Sequence, residues 1–400
     1  MNIRQKLSKT PLAVNTVALG SMGVCASLTV LSTNIYKNVN NVNLPNFGLW
    51  SLLAIHILCI SICVFYLTLL TIKYCILGFQ QIKTELNDPT TAGPVAVSLL
   101  VLCTLDNSFG WIYTNFINNL AIKWWLLLTV NIYLVIVVFF QFAYFILFLK
   151  RIWFKKESWK GEIFASWFVP LIGISITPGY VNNLGDILPI MFWQIEWFVG
   201  FIVFIIMYPL VLYKFLFHPH AHKRNIPSMA IYSSPANMLS IGFLVAFDPQ
   251  RYTHESFMTS SLNSEYFYQV FAIIMFTLAS LSVCLFLAIF TKSMMLHKYS
   301  YSWGSLTFPS SISATGCALY AKYLFFNSHI AIYWTCIAFS VLMLSISFAI
   351  TLFVNIKYAI VLNKIFRGKE LNEHHNINNN DSKPLEITSL DLNSEIKMIN

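Results

Sequence analysis

The chain has 400 residues, 57% of them hydrophobic and only 10% charged, with a formal net charge of +9 and a mean hydropathy of +0.66. A soluble domain carries about 25% charged residues, so the composition excludes a water-soluble globular protein. Apolar stretches recur at about 20 residues, the length that crosses a bilayer core, and the class is an all-α polytopic membrane protein.

Ten spans are predicted, at 11–32, 49–77, 93–112, 124–149, 163–180, 190–214, 228–247, 268–291, 302–325 and 330–356. The first follows Arg4, Lys6 and Lys9 but is long and has no small-residue cleavage site. It therefore reads as an uncleaved span and not as a signal peptide. Between the second and third spans, the amphipathic stretch "FQQIKTELNDP" is expected to cap the second helical hairpin. The inner loop "HPHAHKR" brings His218, His220 and His222 together, yet no nearby Cys or carboxylate completes a metal ligand set. The longest loop runs from Asp248 to Phe267, and from Gly368 the chain turns polar and Asn-rich, as disordered tails do. The expected organisation is a cytoplasmic N-terminus (1–10), one membrane domain (11–362) and a disordered cytoplasmic tail (363–400).

Basic residues orient the chain. With the N-terminus cytoplasmic, 21 of the 25 Lys and Arg fall inside, and only Lys37, Lys123, Arg251 and Lys322 fall outside. That places the protein in the cell membrane as a multi-pass chain with both termini cytoplasmic. Dispersed over loops, these charges suit contact with anionic lipid heads and give no nucleic-acid surface. All eight cysteines lie within spans, which argues against a disulfide framework.

Gly and Pro are distributed unevenly. The odd-numbered spans hold fifteen and the even-numbered spans two, Gly200 and Pro209. Irregular backbone at membrane depth survives only where protein or a water-filled cavity surrounds it. The odd helices are thus expected to form an inner layer and the even helices a lipid-facing sheath, as five hairpins about a common centre.

Stripes of small and hydroxyl residues run along the odd helices: Thr16, Gly20, Gly23, Ser27; Ser166, Pro170, Gly173, Thr177; Ser233, Asn237, Ser240; and Gly304, Phe308, Ser311, Thr315. They fit either a lumen or helix–helix packing, since both favour small residues. Pro235 falls at the start of the seventh span. Pro309 is expected to kink the ninth helix, because a proline inside a helix removes a hydrogen bond and clashes with the preceding turn. Phe308 beside it fits a plug in the widened space, or an interhelical packing residue.

No Lys or Arg occupies the middle of a span. Hydroxyls, freed amide donors and helix-end dipoles suit a partly dehydrated anion and release it readily, although a hydroxyl-lined path also suits neutral solutes. Lys322 lies roughly 21 Å along the helix from Phe308. It fits an outer-mouth charge, or a partner for Asp106 near the outer end of the third span. An inward Asp106 would instead repel an anion, or serve as the proton site of a coupled carrier. His56 and Glu196 are expected at the interface. No His-Glu-x-x-His, no Gly-x-Ser-x-Gly and no mid-membrane carboxylate pair within one turn marks an enzyme. No cofactor motif is present.

At four places the chain resembles the tellurite-resistance/dicarboxylate transporter family, which includes tellurite-resistance permeases, malate and sulfite transporters and plant slow anion channels. They are "FQQIKTELNDPTTAGP" (79–94), "SWFVPLIG" (166–173), "IPSMAIYSSPANMLSIGF" (226–243) and "SWGSLTFPSS" (302–311). The resemblance runs from about residue 11 to 360 over short, degenerate motifs. It implies ten helices as five hairpins with quasi-fivefold symmetry, odd helices around a central pore, a homotrimer, and Phe308 as the occluding phenylalanine. Asp106, Lys322 and the Asn-rich tail depart from the family pattern.

Overall fold

The computed structural model describes residues 3–39, 44–160, 164–217, 223–249, 265–295, 299–327 and 329–367. The triple-histidine loop, residues 250–264 of the longest loop, and the tail from 368 lie outside the described residues. The described chain is all-helical, with no strand. That is the arrangement a bilayer core demands, since a helix satisfies its own backbone polar groups.

The long helices are α1 (Val14–Asn34), α2 (Asn46–Leu77), α3 (Ala92–Phe116), α4 (Leu120–Phe148), α5 (Ile190–Phe217), α6 (Ser234–Ala246), α7 (Glu265–Met295), α8 (Thr307–Phe326) and α9 (Ile330–Phe366). Eight helices among the described residues are long and apolar enough to cross a membrane. The expected fifth and ninth spans are not among them. Around Pro170, Gly173, Pro178 and Gly179, the fifth stretch breaks into short pieces: 3₁₀ Ala165–Trp167, α Phe168–Ile172, 3₁₀ Gly173–Tyr180 and α Val181–Leu184. α8 is a continuous helix, but Thr307, Ser310, Ser311, Ser313 and Thr315 lower its hydropathy.

The kink expected at Pro309 is not formed, because Pro309 is the third residue of α8. Pro94 and Pro170 are likewise third in their helices, and Pro235 is second in α6. The first four N–H groups of a helix have no intrahelical partner, so a proline there removes nothing. A 3₁₀ stretch leads into three of these starts, at Ala165–Trp167, Lys223–Ser233 and Tyr301–Leu306. The prolines mark where inner segments begin, not where they bend.

Burial separates two layers. The most apolar stretches of α1, α3 and Ile226–Ala246 are 83%, 67% and 100% buried, against 33%, 28%, 33%, 33% and 39% for α2, α4, α5, α7 and α9. α1 packs on α3, α3 on the broken segment, that segment on α6, α6 on α8, and α8 back on α1. The outer helices α2, α4, α5, α7 and α9 carry exposed apolar side chains such as Phe65, Phe139, Ile205, Leu281 and Phe348.

The α1–α8 contact is a close-fitting one. A Cβ on Gly20 would overlap the Thr307 side chain, one on Gly23 the Ser311 side chain, and one on Gly304 the Thr16 hydroxyl. Hydrogen bonds then run along the seam. Thr307 Oγ1 lies 3.0 Å from Thr16 O, Ser27 Oγ lies 2.7 Å from Ser311 O and 2.8 Å from Thr315 Oγ1, and Asn34 Nδ2 donates to Ala318 O at 2.6 Å. The stripe on α9 joins in, with Ser340 Oγ donating to Ala314 O at 2.8 Å.

At the face holding the termini, Lys6 Nζ donates to Phe366 O at 2.7 Å. Nearby, Lys73 pairs with Glu85 at 3.0 Å, the two side chains being only 2% and 8% exposed. Tyr74 Oη and Gln81 Nε2 also donate to that carboxylate, and Lys73 Nζ to Thr10 O. The amphipathic helix Phe79–Asn87 is thereby fastened to α2.

Gly20→Ala should lower the thermal midpoint in detergent by an amount equivalent to about 1–3 kcal/mol, the usual cost of overpacking. Gly316→Ala, whose added Cβ would meet Asn237 Oδ1 at 3.3 Å and Ile241 at ordinary contact distance, should lose distinctly less.

Candidate functional site

Two cavities lie between the inner segments and share a wall made by Phe308 and Met238. The wide one, about 580 Å³, is lined by α1, α3, the broken segment, α6 and α8, with His56 reaching in from α2 and Lys37 from the turn after α1. It extends to the helix ends opposite the termini. The narrow one, about 40 Å³, lies toward the termini and is walled mainly by Leu19, Val97, Leu100, Ile172, Met238 and Phe308. A volume of that size holds about one to three waters. Apart from Thr16, Ser234 and Ser305 these walls are apolar and offer an ion little to replace its hydration shell, and a bare charge there would cost far more than a few kcal/mol.

The wide cavity is polar in one sense only. Its lining includes Lys37, Lys322 and His56, together with Thr29, Thr33, Asn34, Thr104, Asn107 and Thr315, and among the described residues no Asp or Glu. A side chamber of about 350 Å³ shares Asn182, Val245, Leu319, Lys322 and Phe326 with it and adds Asp248. Lys322 Nζ stands 5.8 Å from the centre of the Phe326 ring.

The residues singled out in the sequence divide between cavity and seam. Phe308 lines both cavities and is 7% exposed. Gly23, Thr315 and Lys322 line the wide cavity; Gly173, Pro235, Gly304 and Pro309 line the narrow one. Gly20, Pro170, Asn237, Ser311 and Asp106 line neither. Gly20 and Ser311 face the α1–α8 seam. Asn237 Nδ2 bonds its own helix at Ser233 O, 2.8 Å away.

Asp106 does not pair with Lys322. It is 3% exposed, and its Oδ2 has no hydrogen-bond partner, whereas Lys322 stands on the cavity wall. His56 and Glu196 are also not interfacial, being 2% and 3% exposed. Glu196 Oε2 accepts from Thr177 Oγ1 at 2.6 Å, a hydroxyl presented by the broken segment. His56 stacks on Trp111, with centroids 4.2 Å apart and planes 10° apart, and its Nε2 lies 3.1 Å from Thr29 Oγ1.

Sequence reading missed Met238, His56 and the polar residues Asn107 and Asn183, which line the wide cavity. Met238 follows Pro235 by three positions, one helical turn, so its place beside the other narrow-cavity residue was in principle visible.

The model of the voltage-dependent anion channel family matches residues 16–355. The chain belongs to this family. The four motifs pointed to the same family, whose members are channels or transporters and not enzymes, and the coarse function is passage of anions across a membrane. No curated protein matches the chain.

The wide cavity should be reachable by water-borne reagents and the narrow one closed. With the exposed Cys75 and Cys284 replaced by Ser, Thr33→Cys should react readily with a charged thiol reagent applied opposite the termini. Ser305→Cys should stay unmodified from that face, as mass spectrometry would report.

Proposed function

We propose that this chain conducts small anions through the two cavities and that Phe308 is the barrier between them. The observation that carries the reading is the wide cavity itself: among the described residues two lysines and a histidine line it, no carboxylate does, and it ends against Phe308. A small anion, either an inorganic ion or a C4-dicarboxylate such as malate, meets favourable charge there and N–H and O–H donors further in. None of these fixes it so tightly that it cannot leave. Beyond the aromatic ring the path narrows to an apolar gap. Such a gap closes by excluding water and reopens when a side chain moves.

The architecture proposed around this path is ten passes in five hairpins with quasi-fivefold arrangement. α1, α3, the broken segment, α6 and α8 form its inner members. The cyclic packing of those five segments and their greater burial support it. The face where Lys6 bonds Phe366 is proposed to be cytoplasmic, and both termini with it. The homotrimer rests on the family resemblance. Proton coupling through Asp106 gains nothing from the geometry, because Asp106 lies off both cavities.

Phe308→Ala, reconstituted in planar bilayers, should raise chloride conductance at least about tenfold, equivalent to about 1.4 kcal/mol or more off the barrier. Conductance equal to that of the unaltered chain, in protein shown to be folded, would remove Phe308 from the gate. Lys322→Gln should lower chloride conductance severalfold in the Phe308→Ala background, and less so at high salt, where screening replaces the fixed charge.

A further inference from the structure

The cavity face of α3 carries Thr104, Asn107, Trp111, Thr114 and Asn115, at i, i+3, i+7, i+10 and i+11. Gly110, between them, lets the Val181–Leu184 piece of the broken segment come against this helix, since a Cβ there would stand 2.6 Å from Asn183 O. Most of the stripe spends its protons on carbonyls. Thr104 Oγ1 donates to Val101 O at 2.9 Å, Thr114 Oγ1 to Asn183 O at 3.2 Å, and Asn115 Nδ2 to Trp111 O at 2.8 Å.

Two groups do not. Asn107 accepts through Oδ1 from Asn183 Nδ2 at 2.8 Å, which fixes its amide plane between the two segments. That bond leaves Asn107 Nδ2 without a partner among the described residues, and the indole N–H of Trp111, one turn further along, has none either. Neither nitrogen is sealed inside protein, unlike Asp106 Oδ2 and His56 Nδ1. Both belong to residues that line the wide cavity. The Trp111 ring is held in place by its stack on His56, with planes 10° apart.

Position and charge decide what these donors suit. Asn107 follows Leu100, in the narrow cavity wall, by seven residues, about 10 Å of helical rise. The donors therefore stand on the outer side of the Phe308 barrier. Neither carries a charge, and Asp106, next to Asn107 in the chain, lines neither cavity. The cost of stripping water from an ion rises with the square of its charge. Neutral N–H donors can replace part of the shell of a singly charged anion and still release it. A dianion would lose more than they return.

We infer that Asn107 Nδ2 and Trp111 Nε1 form an uncharged binding site for a singly charged inorganic anion on the outer side of Phe308. This rests on the anion-conducting reading and names the substrate class within it, inorganic monoanions in preference to dicarboxylates.

The test uses the full chain carrying Phe308→Ala in planar bilayers at pH 7.5, where malate is a dianion. Chloride conductance should saturate with concentration. Adding Asn107→Leu or Trp111→Phe should raise the half-saturating chloride concentration about threefold or more, as the loss of one hydrogen bond to an ion requires. Trp111→Phe keeps a ring against His56 and gives the readout should Asn107→Leu not fold. Asn107→Asp keeps the bond from Asn183 but puts a carboxylate oxygen where the N–H was, and should cut chloride current about tenfold or more. Malate should carry distinctly less current than chloride. Half-saturation unchanged in the folded variants, or malate permeating as readily as chloride, overturns the inference and leaves the conduction reading standing. No chloride current in Phe308→Ala would overturn both.

Discussion

The structure depends on how closely α1 and α8 approach each other. Gly20 and Gly23 on one helix, and Gly304 ahead of the other, leave no room for a methyl group, and hydroxyls fill the gaps. In lipid no hydrophobic effect drives helices together. Backbone approach and interhelical hydrogen bonds do that work, at roughly 0.6–2 kcal/mol per bond. Thr307, Ser27 and Asn34 supply them across the seam. The seam joins the first inner segment to the last, so it closes the sequence of inner contacts. It also fixes Phe308, one residue after Thr307, against Gly23, where a Cβ would stand 3.5 Å from the ring.

From that position the rest of the site follows. α8 begins at Thr307 and carries Phe308, Thr315 and Lys322 up one wall of the wide cavity. The broken segment opposite is tolerated because it is buried among helices and braced by Glu196 through Thr177. Around Phe308 the lining changes from hydroxyls, amides and lysines to Leu19, Leu100, Ile172 and Met238. The change from a mainly polar to a mainly apolar wall coincides with one aromatic ring.

Much of this was legible in the sequence, and the parts that were not share a cause. The contrast of Gly and Pro between odd and even spans exposed the two layers, because membrane-depth irregularity needs surrounding protein. Phe308 was legible as the bulky residue on the α8 stripe. The stripes themselves were ambiguous: Gly20 and Ser311 belong to the seam, Gly23 and Thr315 to the cavity. Both environments select small residues, so the sequence does not separate them. Pro309 was read as a kink because the helix start at Thr307 has no capping side chain to announce it. Contacts between distant segments stayed hidden, as with Asn34 and Ala318. His56 and Glu196 sit near helix ends in sequence, yet neighbouring segments cover both.

The central claim is that the wide cavity, whose described lining holds lysines and no carboxylate, selects anions and that Phe308 closes it. Its most direct test is the reversal potential of Phe308→Ala in a planar bilayer under a tenfold KCl gradient. The expected result is reversal close to the chloride equilibrium potential, unchanged when potassium is replaced by a large organic cation. Reversal close to the potassium potential, from folded protein, would contradict it.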